Sequence, residues 1–188
     1  TEIEFIHSKQ WFVKYLDLKE KMLEWGKELN WYPDHMRNRY ENWVKGLQWD
    51  WCISRQIFFG IPFPVWYCGD CDEVILAREE DLPVDPTVDE PPVDECPECG
   101  SKNIIPETDI INTWATSSLS PQIAASLAPE RYDDLYPMTL RPQAHDIIRT
   151  WAFYTIVKAY YHEKSVPWHD IMISGHGQDP HGRKMSKK

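Results

Sequence analysis

The stretch of sequence that decides the fold is residues 137–174, PMTLRPQAHDIIRTWAFYTIVKAYYHEKSVPWHDIMIS. Near its ends lie two short apolar segments, residues 138–140 and 171–173, which predict two strands. Between them, apolar residues recur at spacings of three and four over residues 145–163, which predicts a long helix. A strand, a helix and a second strand in this order predict a right-handed crossover between parallel strands. The predicted fold class is therefore α/β with a parallel sheet.

Ligands of a parallel sheet bind beyond the carboxyl ends of its strands. That edge would carry the start of the helix and the loop that follows the second strand, residues 175–188, which we call the basic loop. Its glycines are Gly175, Gly177 and Gly182, and its cations are Arg183, Lys184, Lys187 and Lys188. Glycines let a backbone approach a ligand closely, and lysine ammonium groups bind phosphate oxygens. The basic loop is therefore a candidate polyphosphate site, with a basic surface tail as the alternative.

Length and composition favour one folded domain with a small satellite. The chain has 188 residues, of which 42% are hydrophobic, and its 10 Trp and 9 Tyr supply enough apolar surface for a core. No apolar run approaches the roughly 18 residues of a membrane span, and no signal peptide opens the sequence. Because the sequence opens on Thr1 and stops inside the basic loop, we expect a piece of a larger protein. Its cysteine pattern points to metal in a reducing compartment rather than to disulfides, so the cytoplasm is the expected location.

The formal net charge of −10 is concentrated in one segment. Residues 70–98 hold 12 acidic residues and a single basic one, Arg78, so the rest of the chain is nearly neutral. The charge therefore argues only that this segment does not face a phosphate backbone.

Four of the five cysteines form two CxxC pairs, Cys68 with Cys71 and Cys96 with Cys99, with the stretch 72–95 between them. Each pair presents two thiolates from one tight turn, and four sulfur ligands in tetrahedral array are typical of structural zinc. The pattern predicts a zinc ion with no open position for catalysis. Free or redox-active thiols are the alternative. Cys52, outside the pairs, is expected to be a buried thiol.

The first part of the chain is predicted to be helical. Apolar residues fall mostly on one face over residues 8–29, with Ser8 as the N-cap. A second helix is predicted from Pro33 and Asp34 to about Gly46. Residues 58–67, FFGIPFPVWY, predict a bent or edge element, because proline does not fit a central strand.

Five segments resemble motifs of the class I aminoacyl-tRNA synthetases. In order, they are SKQWFVK (residues 8–14), WDWCISRQ (49–56) with the FFGIPFPVWY that follows, ETDIINTWATSS (107–118), RPQAHDIIRTW (141–151) and KMSKK (184–188). The last is similar to the family's KMSKS signature, with Lys188 in place of the usual serine. The third is similar to D-x-x-D-T-W-x-S-S, with Asn112 in place of the second aspartate, which removes a negative charge. The resemblance extends over essentially the whole chain.

This resemblance implies the second half of a class I synthetase Rossmann-like parallel-sheet core with a small inserted zinc ribbon. It implies three parts: residues 1–66 as a helical return segment into the core, residues 67–105 as the zinc-ribbon insert, and residues 106–188 as the Rossmann-like half with the basic loop.

The resemblance also implies the site residues and the cofactors. The catalytic residues would be Lys184 and Lys187. The ATP-binding residues, acting on ATP with its Mg²⁺, would be Asp146, Gly175, His176, Lys184 and Lys187. The amino-acid pocket would be formed by Trp114, Ile147 and Trp151. Asp146 has another interpretation, because an acidic residue in a first helical turn also complements the helix dipole. Trp114 has one too, because a tryptophan is often a core residue.

Within the family, the 141–151 string most resembles archaeal-type enzymes that activate valine, which implies valine and tRNA(Val) as substrates. The isoleucine and leucine enzymes are the alternative, and a non-catalytic zinc-ribbon binding module is the alternative of another class. The family's other ATP motif, His-x-Gly-His, does not occur in this sequence. We therefore predict that this chain alone is inactive.

Overall fold

A computed structural model of the chain describes residues 3–4 and 7–185. The chain divides into two compact units. One contains the residues up to Phe12 together with Cys52–Thr113, and we call it the antiparallel unit after its sheets. The other contains Val13–Trp51 and the residues from Trp114 onward, and we call it the parallel unit. Each unit is therefore assembled from two separate stretches of sequence.

The regular elements are short. The strands are β1 (Phe12–Val13), β2 (Asn30–Tyr32), β3 (Trp51–Cys52), β4 (Ser54–Arg55), β5 (Ile61–Pro62), β6 (Val65–Cys68), β7 (Val74–Leu76), β8 (Ile104–Pro106), β9 (Ile110–Ile111), β10 (Met138–Ala144) and β11 (Trp168–Ser174). The α-helices are α1 (Lys19–Glu28), α2 (Arg37–Gly46), α3 (Thr113–Ser117), α4 (Ser120–Ser126), α5 (Tyr132–Leu135) and α6 (Phe153–His162). Within the described ranges, no helix is long and apolar enough to cross a membrane.

The parallel unit contains a three-stranded sheet in the order β10-β11-β2, parallel throughout. The two predicted strands are present, and their predicted parallel pairing is confirmed. Each is longer than predicted, with seven residues, and Met138 pairs with Trp168 at one end while Ala144 pairs with Ser174 at the other. Both strands therefore end at the same edge of the sheet. The third strand, β2, was not predicted, because three residues are too few to show an alternating pattern.

The predicted helix over residues 145–163 is regular only in its second half. It begins with a 3-10 turn, His145–Ile147, continues as a π-helical turn, Ile148–Ala152, and becomes α-helical at Phe153. No side chain caps its start, and Ile148, Ala152 and Phe153 are fully buried. In an α-helix, Ile147 and Trp151 would share one face because they are four residues apart. A π-turn is wider than an α-turn, so this spacing does not place them on one face here.

Close packing between α1 and α2 depends on a glycine. A Cβ atom on Gly26 would lie 2.4 Å from Cε1 of Tyr40, which is well inside van der Waals contact. Tyr40 is fully buried, and its hydroxyl donates to the carbonyl oxygen of Met22 at 2.8 Å. The second predicted helix is confirmed, as a 3-10 turn followed by α2.

The first predicted helix was wrong over residues 8–15, because the helix begins only with a 3-10 turn at Leu16–Leu18 that leads into α1 at Lys19. In the antiparallel unit, the backbone N–H of Trp11 donates to Oγ of Ser54 at 3.0 Å, and its carbonyl accepts from the N–H of Ile53 at 2.8 Å. Long-range partners therefore satisfy the backbone of Trp11, and the Ser8 cap does not form. In the parallel unit, the Asp50 carboxylate accepts the N–H groups of residues 15 and 16 instead.

The antiparallel unit contains two three-stranded antiparallel sheets, in the orders β4-β9-β5 and β7-β6-β8. The proline-containing strand β5 lies at a sheet edge, as predicted. The end of the same predicted segment, residues 65–67, instead belongs to β6, the central strand of its sheet, so the prediction was wrong there. Trp11 stacks on Phe63 with ring centroids 5.7 Å apart, and its Nε1–H lies 2.9 Å from the Tyr67 hydroxyl and 3.0 Å from the Glu107 carboxylate.

Candidate functional site

The carboxyl edge of the parallel sheet brings together two segments that are distant in the sequence. His145 and Asp146 follow β10, and Gly175 and His176 follow β11. The pairing of Ala144 with Ser174 places both chain exits side by side. The structure thus places three predicted site residues, Asp146, Gly175 and His176, at one edge together with His145, where a parallel sheet binds ligands.

Two histidines are in contact at this edge. The Nε2 atoms of His145 and His176 lie 3.1 Å apart, and the ring centroids lie 4.3 Å apart at an interplanar angle of 69°. On its other side, Nδ1 of His145 lies 3.3 Å from the carbonyl oxygen of Ser174. His145 therefore contacts β11 and the basic loop at once. Asp146 is exposed.

The described part of the basic loop is a small hairpin. Gln178 and Lys184 form an antiparallel bridge, and the Met185 N–H donates to the Gly177 carbonyl at 2.9 Å. The turn at its tip has the sequence Asp-Pro-His-Gly, and Gly182 has φ of +76°, a conformation that favours glycine. The hairpin is therefore specified locally, by turn residues.

The Asp179 carboxylate holds that turn together. It accepts the backbone N–H groups of His181 and Arg183, each at 2.9 Å, and Nε of Arg183 at 2.7 Å. Hydrogen bonding from the Arg183 backbone is the main cause that lowers the pKa of Asp179. Arg183 is thus engaged within the loop. Lys184 is exposed, and in the part of the chain that the structure describes, no carboxylate lies within ion-pair distance of it.

Lys187, the other predicted catalytic residue, lies outside the described residues. So does Lys188, at the position where the sequence departs from the family signature. Their roles therefore stay predictions from the sequence.

The predicted amino-acid pocket residues differ in exposure. Trp151 is 8% exposed, and its indole N–H donates to the Ser117 carbonyl of α3 at 3.2 Å. Trp114, on the same helix α3, is 39% exposed, and Ile147 is half-buried. This hydrogen bond links Trp151 to helix α3, which carries Trp114. Trp114 is the more exposed of the two tryptophans.

Arg141 packs against Trp151. Its guanidinium carbon lies 3.9 Å from the centre of the Trp151 ring, and Trp151 also stacks on Trp168 with centroids 5.4 Å apart. Burial lowers the pKa of Arg141. Burial also lowers the pKa of Lys158, which donates to the Ala115 carbonyl at 3.1 Å. The ring contacts fix the position of Trp151, and the sequence did not point to Arg141 as its partner.

In the antiparallel unit, the two CxxC pairs form two adjacent turns, which we call the cysteine knuckles. In the first, the N–H of residue 72 donates to the Cys68 carbonyl at 3.0 Å; in the second, the Gly100 N–H donates to the Cys96 carbonyl at 2.9 Å. Gly100 has φ of +70°, which glycine tolerates without strain. The Asp70 carboxylate accepts hydrogen bonds from Ser101 and Asn103, which lie beyond the second turn.

The four sulfur atoms lie within 4.8 Å of one another. The Sγ atoms of Cys68 and Cys99 are 3.5 Å apart, and those of Cys71 and Cys96 are 3.6 Å apart. A tetrahedral zinc site with Zn–S bonds of about 2.3 Å requires sulfurs about 3.8 Å apart, so the arrangement fits zinc. Hydrogen bonding from the Asp70 backbone is the main cause that lowers the pKa of Cys68 to about 7. Cys52, outside this cluster, is half-buried.

Two aspartates that organise these sites were also missed from sequence. Asp179 and Asp70 each bind backbone or side-chain donors across a turn. A signal for Asp179 was present, because Asp-Pro-x-Gly is a turn sequence in which the aspartate accepts backbone N–H groups. No comparable signal identifies Asp70, whose partners Ser101 and Asn103 belong to a separate segment of the chain.

Sequence comparison places the chain in a family. The family model described as "tRNA synthetases class I (I, L, M and V)" matches residues 2–188. The chain is 53% identical to the valine–tRNA ligase of Thermoplasma volcanium over 187 residues, which cover all of this chain and 23% of that protein. It is 50% identical over 187 residues to the valine–tRNA ligase of Methanopyrus kandleri, covering all of this chain and 20% of that protein. The chain thus spans less than a quarter of the length of these relatives.

A solved structure also resembles this one. The LeuRS chain in the ternary complex of Agrobacterium radiobacter K84 agnB2 LeuRS with tRNA and LeuAMS matches with a TM-score of 0.57 and 23% identity. The match covers 74% of this chain and 21% of that chain. At this identity the likeness shows the fold alone, a mixed α/β fold with parallel and antiparallel sheets. The chain belongs to the class I tRNA synthetases of the isoleucine, leucine, methionine and valine group.

Proposed function

We propose that this chain is part of the catalytic core of a valine–tRNA ligase. The observation that carries the proposal is identity of 50–53% over the whole chain to valine–tRNA ligases of several organisms. Because the chain spans less than a quarter of those proteins, the activity belongs to a longer protein. In that protein the parallel unit would be the second half of a Rossmann-like core, and the cysteine knuckles would belong to an inserted zinc ribbon.

The reaction joins valine to AMP and then to tRNA(Val). A carboxylate oxygen of valine attacks the α-phosphorus of ATP, and the bond from that phosphorus to the β-phosphate oxygen breaks. Pyrophosphate leaves, and a hydroxyl at the 3′ end of tRNA(Val) then attacks the valyl carbonyl carbon, which forms the ester and releases AMP. Negative charge grows on the leaving pyrophosphate, so cations held in place for it lower the barrier. Mg²⁺ bound with ATP would share this charge.

Lys184 and Lys187 are our candidates for those cations. Lys184 is exposed on a defined hairpin, while Arg183 beside it is held by Asp179. Because Arg183 is already bound within the hairpin, we favour the lysines over the arginine as the groups that bind phosphate. The hairpin starts at the same edge as Asp146, Gly175 and His176, which we propose bind the rest of ATP.

Valine would bind against Trp114, Ile147 and Trp151. The contact between Trp151 and the Ser117 carbonyl supports this, because it ties the helix bearing Trp114 to the turn bearing Trp151. Discrimination against isoleucine would then depend on pocket volume, and one methylene is worth only about 1–3 kcal/mol.

Zinc would have a structural role, held by Cys68, Cys71, Cys96 and Cys99. The sulfur spacing supports this, and four protein ligands leave no open position for a substrate.

The test is amino-acid-dependent exchange of pyrophosphate into ATP by the full-length protein, with valine, isoleucine, leucine, threonine and methionine in parallel. We expect kcat/KM to be highest for valine, with isoleucine lower by roughly 10- to 200-fold. If exchange is strongest with isoleucine or leucine, the protein is still a tRNA ligase, but the assignment of the pocket to valine is wrong. If no exchange occurs with any of the five amino acids, the assignment as a ligase is wrong, and a zinc-binding module is the remaining interpretation.

A further inference from the structure

The contact between His145 and His176 determines where each ring carries its proton. A carbonyl oxygen can only accept a hydrogen bond, so Nδ1 of His145, 3.3 Å from the Ser174 carbonyl, must be the donor. In a neutral imidazole the other nitrogen is then an acceptor. Nε2 of His145 is therefore unprotonated when that ring is neutral.

The same reasoning extends to the second ring. Nε2 of His176 lies 3.1 Å from Nε2 of His145, and two acceptors do not bind each other. His176 must therefore carry its proton on Nε2 and donate it to His145. The result is a directed chain of hydrogen bonds from the basic loop, through His145, to the end of β11.

We propose that His145 is a positioning residue, which holds the basic loop at the sheet edge by accepting a hydrogen bond from His176 while donating one to Ser174. The consequence for the reaction rests on the proposed function above. Because His176 is the second residue of the loop, fixing its ring fixes the direction in which the hairpin bearing Lys184 leaves the sheet. His145 itself need not touch ATP.

The chain offers matched substitutions for this pair. Gln at position 176 keeps a donor nitrogen near the Nε2 position, whereas Phe keeps only the ring. Asn at position 145 keeps a donor near the Nδ1 position but does not reach His176. His35, exposed in a separate 3-10 turn, provides a control site of the same residue type.

The direct test is the protonation of each ring nitrogen, measured by ¹⁵N NMR of the purified chain. The spectra are recorded at about pH 8, above the ordinary imidazole pKa of about 6.5. We expect His145 to be protonated on Nδ1, which is the minor form of free histidine, and His176 to be protonated on Nε2. His176→Gln should leave the Nε2 shift of His145 nearly unchanged, and His176→Phe should move it toward that of an unbonded nitrogen. Two results would overturn the proposal: a His145 ring protonated on Nε2, or an Nε2 chemical shift of His145 that does not change in His176→Phe.

The functional test uses pyrophosphate exchange by the full-length protein. His145→Phe and His145→Asn should both lower kcat/KM for ATP by roughly three- to tenfold, the effect of one hydrogen bond, with KM for valine unchanged. His35→Asn should match the wild type. If His145→Asn retains full activity while His145→Phe loses it, the Ser174 contact alone matters and the proposal is wrong. The NMR result does not depend on catalysis, so a protein without exchange activity would refute the proposed function and leave the histidine assignment testable.

Discussion

The two units of this molecule are stabilised in different ways. The twelve largest fully buried side chains all belong to the parallel unit, among them Trp168, Tyr40 and Phe153. The described antiparallel unit contributes none of them, and it carries the four-cysteine cluster instead. Small units with little core often require a metal or disulfides, because their buried apolar area cannot offset chain entropy. We infer that burial stabilises the parallel unit and that metal stabilises the antiparallel unit.

The cysteine knuckles and the sheet-edge site differ in how many segments of the chain build them. Each cysteine knuckle is built within a single tight turn, by backbone hydrogen bonds. The sheet-edge site requires segments from either end of the crossover helix, which meet only when β10 and β11 pair in register. Residue spacing alone therefore reveals the first kind of site, while the second is predicted only through the expected parallel pairing of two strands.

The largest expected effect comes from removing the metal ligands. The double substitution Cys68→Ser with Cys71→Ser should abolish zinc binding and unfold the antiparallel unit, because coordination supplies folding free energy there. Zinc content by elemental analysis and amide exchange of β6–β8 would measure this. Cys52→Ser, outside the cluster, is the control and should retain equimolar zinc. Full protection of β6–β8 in the metal-free double variant would show that burial alone suffices.

The core of the parallel unit should respond to cavity formation. Trp168→Ala removes a fully buried ring and should lower the free energy of unfolding by about 3–5 kcal/mol. Trp49→Ala, at a tryptophan that is 71% exposed in the same unit, should change it by less than about 0.5 kcal/mol. Denaturant unfolding with metal present distinguishes them, and equal losses would contradict a stability based on burial.

A smaller effect is expected at the contact between α1 and α2. Gly26→Ala places a methyl group 2.4 Å from the Tyr40 ring and should destabilise the unit by about 1–3 kcal/mol. Gly46→Ala, at the end of α2, meets no atom within 4 Å and should be neutral or stabilising by up to about 1 kcal/mol. Thermal melts of the two variants give the comparison. The reverse order would mean that the helices do not pack as described.

The smallest effect concerns pH and the hairpin of the basic loop. The pKa of Asp179 is lowered in the folded state, so its contribution is present above the ordinary aspartate value and is lost as pH falls through the lowered one. We expect the Arg183 amide shift to be constant above about pH 4 and to change at lower pH. Asp179→Asn should remove this transition. A transition of unchanged midpoint in Asp179→Asn would assign it to another group.

The sequence predicted the elements with strong local signals. The strands β10 and β11, the helix α2 and the cysteine cluster each follow from spacing within a short segment. The helix predicted from residue 8 does not form over residues 8–15, because Ser54 and Ile53, from a separate part of the chain, bind the backbone of Trp11. The π-turn at residues 148–152 was missed because apolar spacings of three and four do not distinguish it from an α-helix.

The candidate site was predicted in its residues and not in its contacts. His176 and Lys184 were identified from the basic loop, but the partner of His176 is His145, 31 residues earlier. Arg183 was counted as a cation for phosphate, whereas Asp179 holds it within the hairpin. Both contacts depend on side-chain geometry that neither composition nor motif spacing contains.

The measurement that tests the central claim most directly is the single-turnover rate of valyl-adenylate formation by full-length protein carrying Lys187→Ala. We expect a fall of at least about 100-fold, the loss of one group that stabilises transition-state charge, with valine binding nearly unchanged. Lys184→Ala should show the same pattern, and Lys27→Ala, on the exposed face of α1, should match the wild type. Equal losses of rate and of valine affinity, or wild-type rates in both loop variants, would contradict the assignment of this chemistry to the basic loop.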